Sequence, residues 1–325
     1  MALVLLYHRI SDLASDPQRL AVSPANFAQH LDVLREHYPP MSLSDVIERT
    51  LAGTSLEGAV ALTFDDGYAD NLEYAKPALE SHGLSATVFL TAAYIDGDRE
   101  FWWDELERLL LTPGRLTNPL RLRIGKVARE WDLGDSSEIC TDAAARHSDW
   151  NVERRDNPTA RHHVYRDLCG MLRTLSSRER DIALGDLLNA AGRVSRARTT
   201  HRVLGAEDVL RLTHSGVIDI GAHSVSHPVL ARLSPTAQED EIAGGKASIE
   251  RLTGRPVCAF AYPFGTSSDY TRATVGLVRK AGFVLACTAN PGRVGRRSDA
   301  LQLPRMLVRN WNADEFRIRL KQWMH

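Results

Sequence analysis

Short apolar runs alternate with amphipathic helical stretches through both outer parts of this chain, and that alternation limits the fold more than any other feature. "ALVLLYH" has the character of a buried strand, and "SPANFAQHLDVLREHY" that of a helix capped by Ser23 with Pro24 in its first position. "MSLSDVIERTLAG" continues as a helix ended by Gly53, "GAVALTF" as a strand, "NLEYAKPALESHG" as a helix stopped by Gly83, and "SATVFLTAAYI" as a β-rich run. The rhythm returns near the C-terminus. "GAEDVLRLTHSGVIDIGAHSVSH" gives helix then strand, and "SPTAQEDEIAGGKASIERLTG" a helix from Ser234 and Pro235 to Gly254. The strand "VCAFAYPFG", the helix "DYTRATVGLVRKAG" and the strand "FVLACTA" follow. Repeated strand–helix units of this kind build a parallel sheet or barrel, so the expected class is α/β.

The middle breaks the rhythm. From about residue 97 to 200 the chain becomes polar, arginine-rich and helix-like, as in "FWWDELERLLL" and "HHVYRDLCGMLRTLSSRERDIALGDLLNAAG". Between these lies a possible hairpin, "LRLRIGKVAREWDLG". This section is expected to be a mainly helical insertion within a single domain spanning 1–325. Trp102 and Trp103, which open the first helix, fit its core better than a sugar platform, and His162 and His163 are expected at the surface.

With 43% hydrophobic and 25% charged residues, 325 residues suffice for a large core. A formal net charge of −1 excludes an electrostatic nucleic-acid or membrane binder, and the basic runs "RLRIGKVAR" and "PGRVGRR" fit solvated surface. The apolar stretch Ala2–Tyr7 is cut short by His8 and Arg9, too early for a secretory leader, and no later stretch approaches a transmembrane span. Cys140, Cys169, Cys258 and Cys287 lack metal-type spacing and fit reduced thiols, so the expected location is cytoplasmic.

Three strand ends carry chemistry: "TFDDG", "GAHSVSH" and "FAYPFG". Two adjacent carboxylates, Asp65 and Asp66, repel each other and resist burial. His223 and His227 stand four apart, a spacing that lets two imidazoles face one cation, and Pro228 favours a strand-to-turn setting for the second. Two histidines with one carboxylate form the open three-ligand set of a hydrolytic metal centre; Asp65 or Asp66 supplies the carboxylate and the other remains free as a base. Taken singly, "DDG" also fits a turn and the histidine pair a chance spacing. Their occurrence together at separate strand ends favours the metal. No phosphate-cradling glycine loop and no G-x-S-x-G motif is present.

"TFDDG", then "HSVSH", then a strand-end "YPFG" resembles the polysaccharide deacetylases, the NodB-homology enzymes of carbohydrate esterase family four. The resemblance implies a distorted (β/α) barrel of NodB type and metal-dependent hydrolysis of an N-acetyl group on an amino sugar of a glycan or glycan precursor. It implies Asp65 as general base and Asp66, His223 and His227 as ligands of one divalent ion. Zinc is the first expectation, and cobalt, nickel or iron suits the same donors. It also implies that the backbone N–H of Phe264, after Pro263, holds the oxyanion.

Three departures qualify it. Ala261 stands where the family's third motif carries an arginine that braces the base. "ACTANPGRV" offers no counterpart of the Asp-rich fourth motif, and "LPRMLVRNWNADEF" lacks the Leu-x-His that supplies the general acid. Some relatives, including those acting on poly-N-acetylglucosamine, have a permuted order with a Tyr-His at the front. On that pattern His8 in "LLYHRI" is the acid. No chemical argument singles out Asp70, Asn71, Arg305 or Asn310. The departures leave two alternatives open: hydrolysis of another non-peptide C–N bond on the same fold, and an inactive glycan-binding homologue.

Overall fold

Leu3, Leu5 and Tyr7 belong to one hydrophobic core, and the alternating Ala2 and Val4 to another. This period-two alternation sets which side chains face into a barrel. The computed structural model describes residues 1–194 and 196–324. One compact unit comprises Met1–Asp12, Leu20–Gly97 and Val203–His325, and a second Leu13–Arg19 and Asp98–Arg202.

In the first unit, among the described residues, one sheet joins seven parallel strands: β1 (Leu3–Tyr7), β2 (Val60–Phe64), β3 (Ala86–Leu90), β4 (Ile218–Ala222), β5 (Ala259–Ala261), β6 (Leu285–Cys287) and β7 (Met306–Leu307). Their spatial order is β6-β5-β4-β3-β2-β1-β7. A parallel bridge from Cys287 to Leu303, just ahead of β7, joins the two edges and closes the ring. This is the distorted (β/α) barrel expected from the sequence. The outward residues, among them Leu62, Phe64, Val88, Leu90 and Phe260, pack under surrounding helices through Phe27, Leu31, Ile242, Ile249 and Phe316. The inward set is small: Val4, Ala61, Ala259, Ala261, Leu285 and Cys287 share a core with Leu43, Val46 and Ile47 of the helix Leu43–Leu51.

The helix ends follow the sequence signals. Ser23 Oγ accepts from Asn26 N–H ahead of the helix Pro24–His37, Ser234 Oγ accepts from Ala237 N–H ahead of Pro235–Thr253, and Gly83 and Gly254 end their helices in the left-handed region. Two elements differ from expectation. "NLEYAKPALESHG" begins as a π turn, Asn71–Ala75, before the α-helix Lys76–His82, and the run after Leu90 becomes a single 3₁₀ turn, Ala92–Tyr94.

Gly221 shows how full the barrel interior is. A Cβ there would lie 2.3 Å from the Phe89 ring, so the glycine is required by packing and not by its backbone angles. Gly221→Ala is expected to lower the unfolding free energy by about 1–3 kcal/mol in urea titration. Unchanged stability would show that the Phe89 ring repacks without strain.

The second unit holds the helices Trp102–Leu110, Thr141–Ala145, Ala160–Leu172 and Ser177–Ala190, with an antiparallel hairpin of Leu120–Ile124 and Val127–Trp131. Trp102 and Trp103 are buried in its core, Trp103 stacked on Phe101 at 4.7 Å. His163 is exposed, but His162 is not the surface residue the sequence suggests: it is 4% exposed and packs against Trp150 at 4.7 Å. Arg198 grips Glu100 through two guanidinium contacts and also pairs with Glu107, so both buried carboxylates have a charged partner. Among the described residues all four cysteines are unbridged, and no helix is long and apolar enough to cross a membrane.

Candidate active site

The strand register brings the chemistry to one rim. Tyr7 pairs with Phe64, Phe64 with Val88, and Ala222 with both Leu90 and Phe260. The carboxyl ends of the strands are therefore level, as in other parallel barrels that carry sites there. Asp65 N–H still donates to Tyr7 O at 3.0 Å and His223 N–H to Leu90 O at 2.8 Å, so both residues continue their strands. Alternation then settles direction: Asp65 shares a face with Ala61 and Thr63, and His223 with Gly221.

Beyond these residues the backbone turns sharply. Asp66 (φ 76°), Ser224 (φ 65°), His227 (φ 56°) and Phe264 (φ 60°) lie in the left-handed region, and the other described non-glycine residues there are Arg19 and Asp96. Such geometry costs about 1–3 kcal/mol per residue, and it clusters where function needs the side chain.

Asp66, His223 and His227 are all buried, and they offer ligand atoms that lie within 4.8 Å of one another. His227 Nε2 is 3.5 Å and His223 Nε2 3.7 Å from Asp66 Oδ1. His223 Nδ1 faces Ala261 O at 2.8 Å. A carbonyl can only accept, so Nδ1 carries the proton and Nε2 turns its lone pair toward Asp66. Burial pushes the His223 imidazole below its ordinary range against the field of Asp65, which favours the neutral, ligating form. Two imidazole nitrogens and a carboxylate oxygen, buried and converging, fit one divalent cation.

Asp65 has a different partner. Arg305 Nη1 and Nη2 each lie 2.7 Å from one of its carboxylate oxygens, while Nε donates to Thr288 O at 2.8 Å and Nη1 reaches Thr63 Oγ1 at 3.2 Å. Arg305 is 1% exposed and Asp65 3%. Burial alone would raise the Asp65 carboxyl, but the Arg305 guanidinium holds it below the ordinary carboxylate range. Arg305 follows the barrel-closing bridge at Leu303 by two residues, which directs it inward. It thus occupies the bracing position that Ala261 cannot fill. The available signal was an arginine set within the strand-like run "LQLPRMLV".

His8 follows β1 directly. It is half-buried, and its imidazole feels Asp65, Arg305, Arg309 and His223. Burial pushes it down to about 4, with Asp65 opposing. Asn71 Nδ2 donates to His8 O at 2.9 Å, and Asp70 accepts from Arg9 Nε and Ile10 N–H, each at 3.0 Å. Asp70 and Asn71 therefore fix the backbone that carries His8. Phe264 packs edge-on against His227 at 4.6 Å between ring centroids. Asn310 lies elsewhere, accepting from Ser23 N–H and Asn26 Nδ2 at the start of a helix.

A parallel barrel with paired carboxylates and paired histidines at its carboxyl rim defines the class as a NodB-type barrel protein. Comparison with known proteins gives the family. The polysaccharide deacetylase family model matches residues 52–113 and 189–286. YxkH of Bacillus subtilis (strain 168), which carries the family's name, is 34% identical over 89 residues. That match covers 27% of this chain and 30% of the relative's length. The deacetylase PplD of Streptococcus pyogenes, solved in complex with acetate, superposes with a TM-score of 0.59 at 18% identity, covering 100% of this chain and 98% of PplD. IcaB from Ammonifex degensii gives a TM-score of 0.59 at 19% identity over 100% of this chain and 97% of IcaB. At such identities the two structures establish the fold. Over residues 52–113 and 189–286 the chain matches the polysaccharide deacetylase family, and its fold is that of the NodB-type deacetylases.

Proposed function

We propose that this protein is a divalent-metal-dependent deacetylase that hydrolyses the N-acetyl group of an amino sugar in a glycan or glycan precursor. The observation that carries the proposal is the convergence of Asp66, His223 and His227 beside an Arg305-braced Asp65. Asp66, His223 and His227 would hold the ion, with zinc the expected metal. When bound, it supplies Lewis acidity, lowering the pKa of a water toward ~7 and polarising the acetyl carbonyl.

The chain's own groups do the rest. Asp65, kept ionised by Arg305, accepts a proton from the water that attacks the carbonyl carbon. The Phe264 backbone N–H is the donor for the oxyanion. The C–N bond breaks as His8 gives a proton to the departing amine, and the products are acetate and a free amino sugar. Burial favours neutral His8 at pH 7; negative charge gathering on the nearby carbonyl oxygen acts in the same direction as Asp65 and favours its protonation. Arg305 also supports this reading over an inactive homologue, since it restores the brace that the third motif lacks.

The test is acetate release from N-acetylglucosamine oligomers together with metal content. Near one divalent ion per chain, with turnover abolished by chelation and restored by zinc or cobalt, is the expected result. A chain that takes up no metal even from added zinc or cobalt would overturn the proposal.

A further inference from the structure

The loop between the two candidate metal-binding histidines is held from its far side by one carboxylate. Glu241, in the helix Pro235–Thr253, accepts from Val225 N–H at 2.9 Å and Ser226 N–H at 2.8 Å through Oε2, and from the Ser226 hydroxyl at 2.5 Å through Oε1. Charge-assisted hydrogen bonds of this kind are the strong ones. The same helix approaches closely because residue 245 is glycine: a Cβ there would lie 2.8 Å from the Ser224 carbonyl carbon and 2.9 Å from its oxygen. From the turn Ala92–Tyr94, Ala92 N–H donates to Ser224 O at 3.1 Å and Ala93 N–H to Val225 O at 2.8 Å. Within the loop, His227 N–H donates to Ser224 Oγ at 3.0 Å.

These contacts enclose a segment with two left-handed non-glycine residues, Ser224 and His227. Such a backbone persists only when its surroundings over-determine it. Glu241 fixes two of the four peptide units between the imidazole-bearing residues, and those units help set how far apart His223 and His227 stand. We infer that Glu241 is a positioning residue for the metal centre, fixing the loop so that both histidines meet one cation. The inference rests on the metal-centre reading above.

The test measures zinc and cobalt affinity by competition with a chelating dye, beside the thermal midpoint of each metal-free variant. Glu241→Ala is expected to bind metal about 10–100-fold more weakly than wild type. Gly245→Ala, which presses on the same loop without removing the carboxylate, is expected to weaken binding in the same direction. Glu241→Gln keeps the shape and one accepting oxygen, and is expected to recover part of the loss. A purely structural role would lower the metal-free midpoint but leave the affinity of folded protein unchanged. Wild-type affinity in both Glu241→Ala and Gly245→Ala would overturn the role of Glu241 alone, whereas no uptake by the wild-type chain would overturn the metal centre and this inference with it.

Discussion

Arg305→Met is expected to lower the unfolding free energy by about 3–5 kcal/mol at pH 7, because it leaves Asp65 buried with its main partner gone. Asp65→Asn creates the complementary defect, a buried guanidinium without its carboxylate. The double variant removes both charges, so its loss should fall short of the sum of the singles, with a coupling energy of up to about 3 kcal/mol. The pH dependence has a definite sign. In the wild type the Asp65 pKa is depressed, so its contribution to stability is present above the unfolded value near ~4 and is lost as pH falls through the lower folded value. In Arg305→Met, burial, the largest influence on Asp65, raises the folded pKa instead. Acidification then relieves that variant, and the gap to wild type should narrow between pH 7 and about 4. Urea titrations at both pH values decide this. Equal stabilities at pH 7 would show that the bidentate pair contributes nothing and that Asp65 has no need of the brace.

The second large effect separates the two neighbouring carboxylates. Asp65→Asn leaves Asp66, His223 and His227 in place, so the variant should take up metal at the wild-type stoichiometry while acetate release falls by about 10²–10⁴-fold. Asp66→Ala and His223→Ala should lose the metal and the turnover together. Because Asp65→Asn is also destabilised, its far-ultraviolet circular dichroism serves as the check that the assayed protein is folded. Metal loss in Asp65→Asn would make Asp65 a ligand and reverse the assignment of the pair. Full turnover without Asp65 would remove it as the base.

Much of the fold follows from local signals. Short apolar runs gave the principal barrel strands, and Ser23–Pro24, Ser234–Pro235, Gly83 and Gly254 marked helix ends that the backbone adopts. These signals act through neighbours a few residues apart, which is why they can be read along the chain. His162 shows where such reading fails. Its helix places it among polar residues, but Trp150, distant in the local pattern, covers its ring. The π turn at Asn71–Ala75 is a similar case: the sequence is helix-forming, and its extra residue per turn is a local geometry that composition does not encode.

The sequence by itself determined the residue types of the site and, through strand-end position, the grouping of Asp65, Asp66, His223 and His227. The tertiary structure alone decided the brace. Arg305 reaches Asp65 because the parallel bridge at Leu303 closes the ring and turns that arginine inward, bringing together residues 240 positions apart. Periodicity tells which way a side chain points within its own strand, but only closure of the barrel sets which strand stands opposite it.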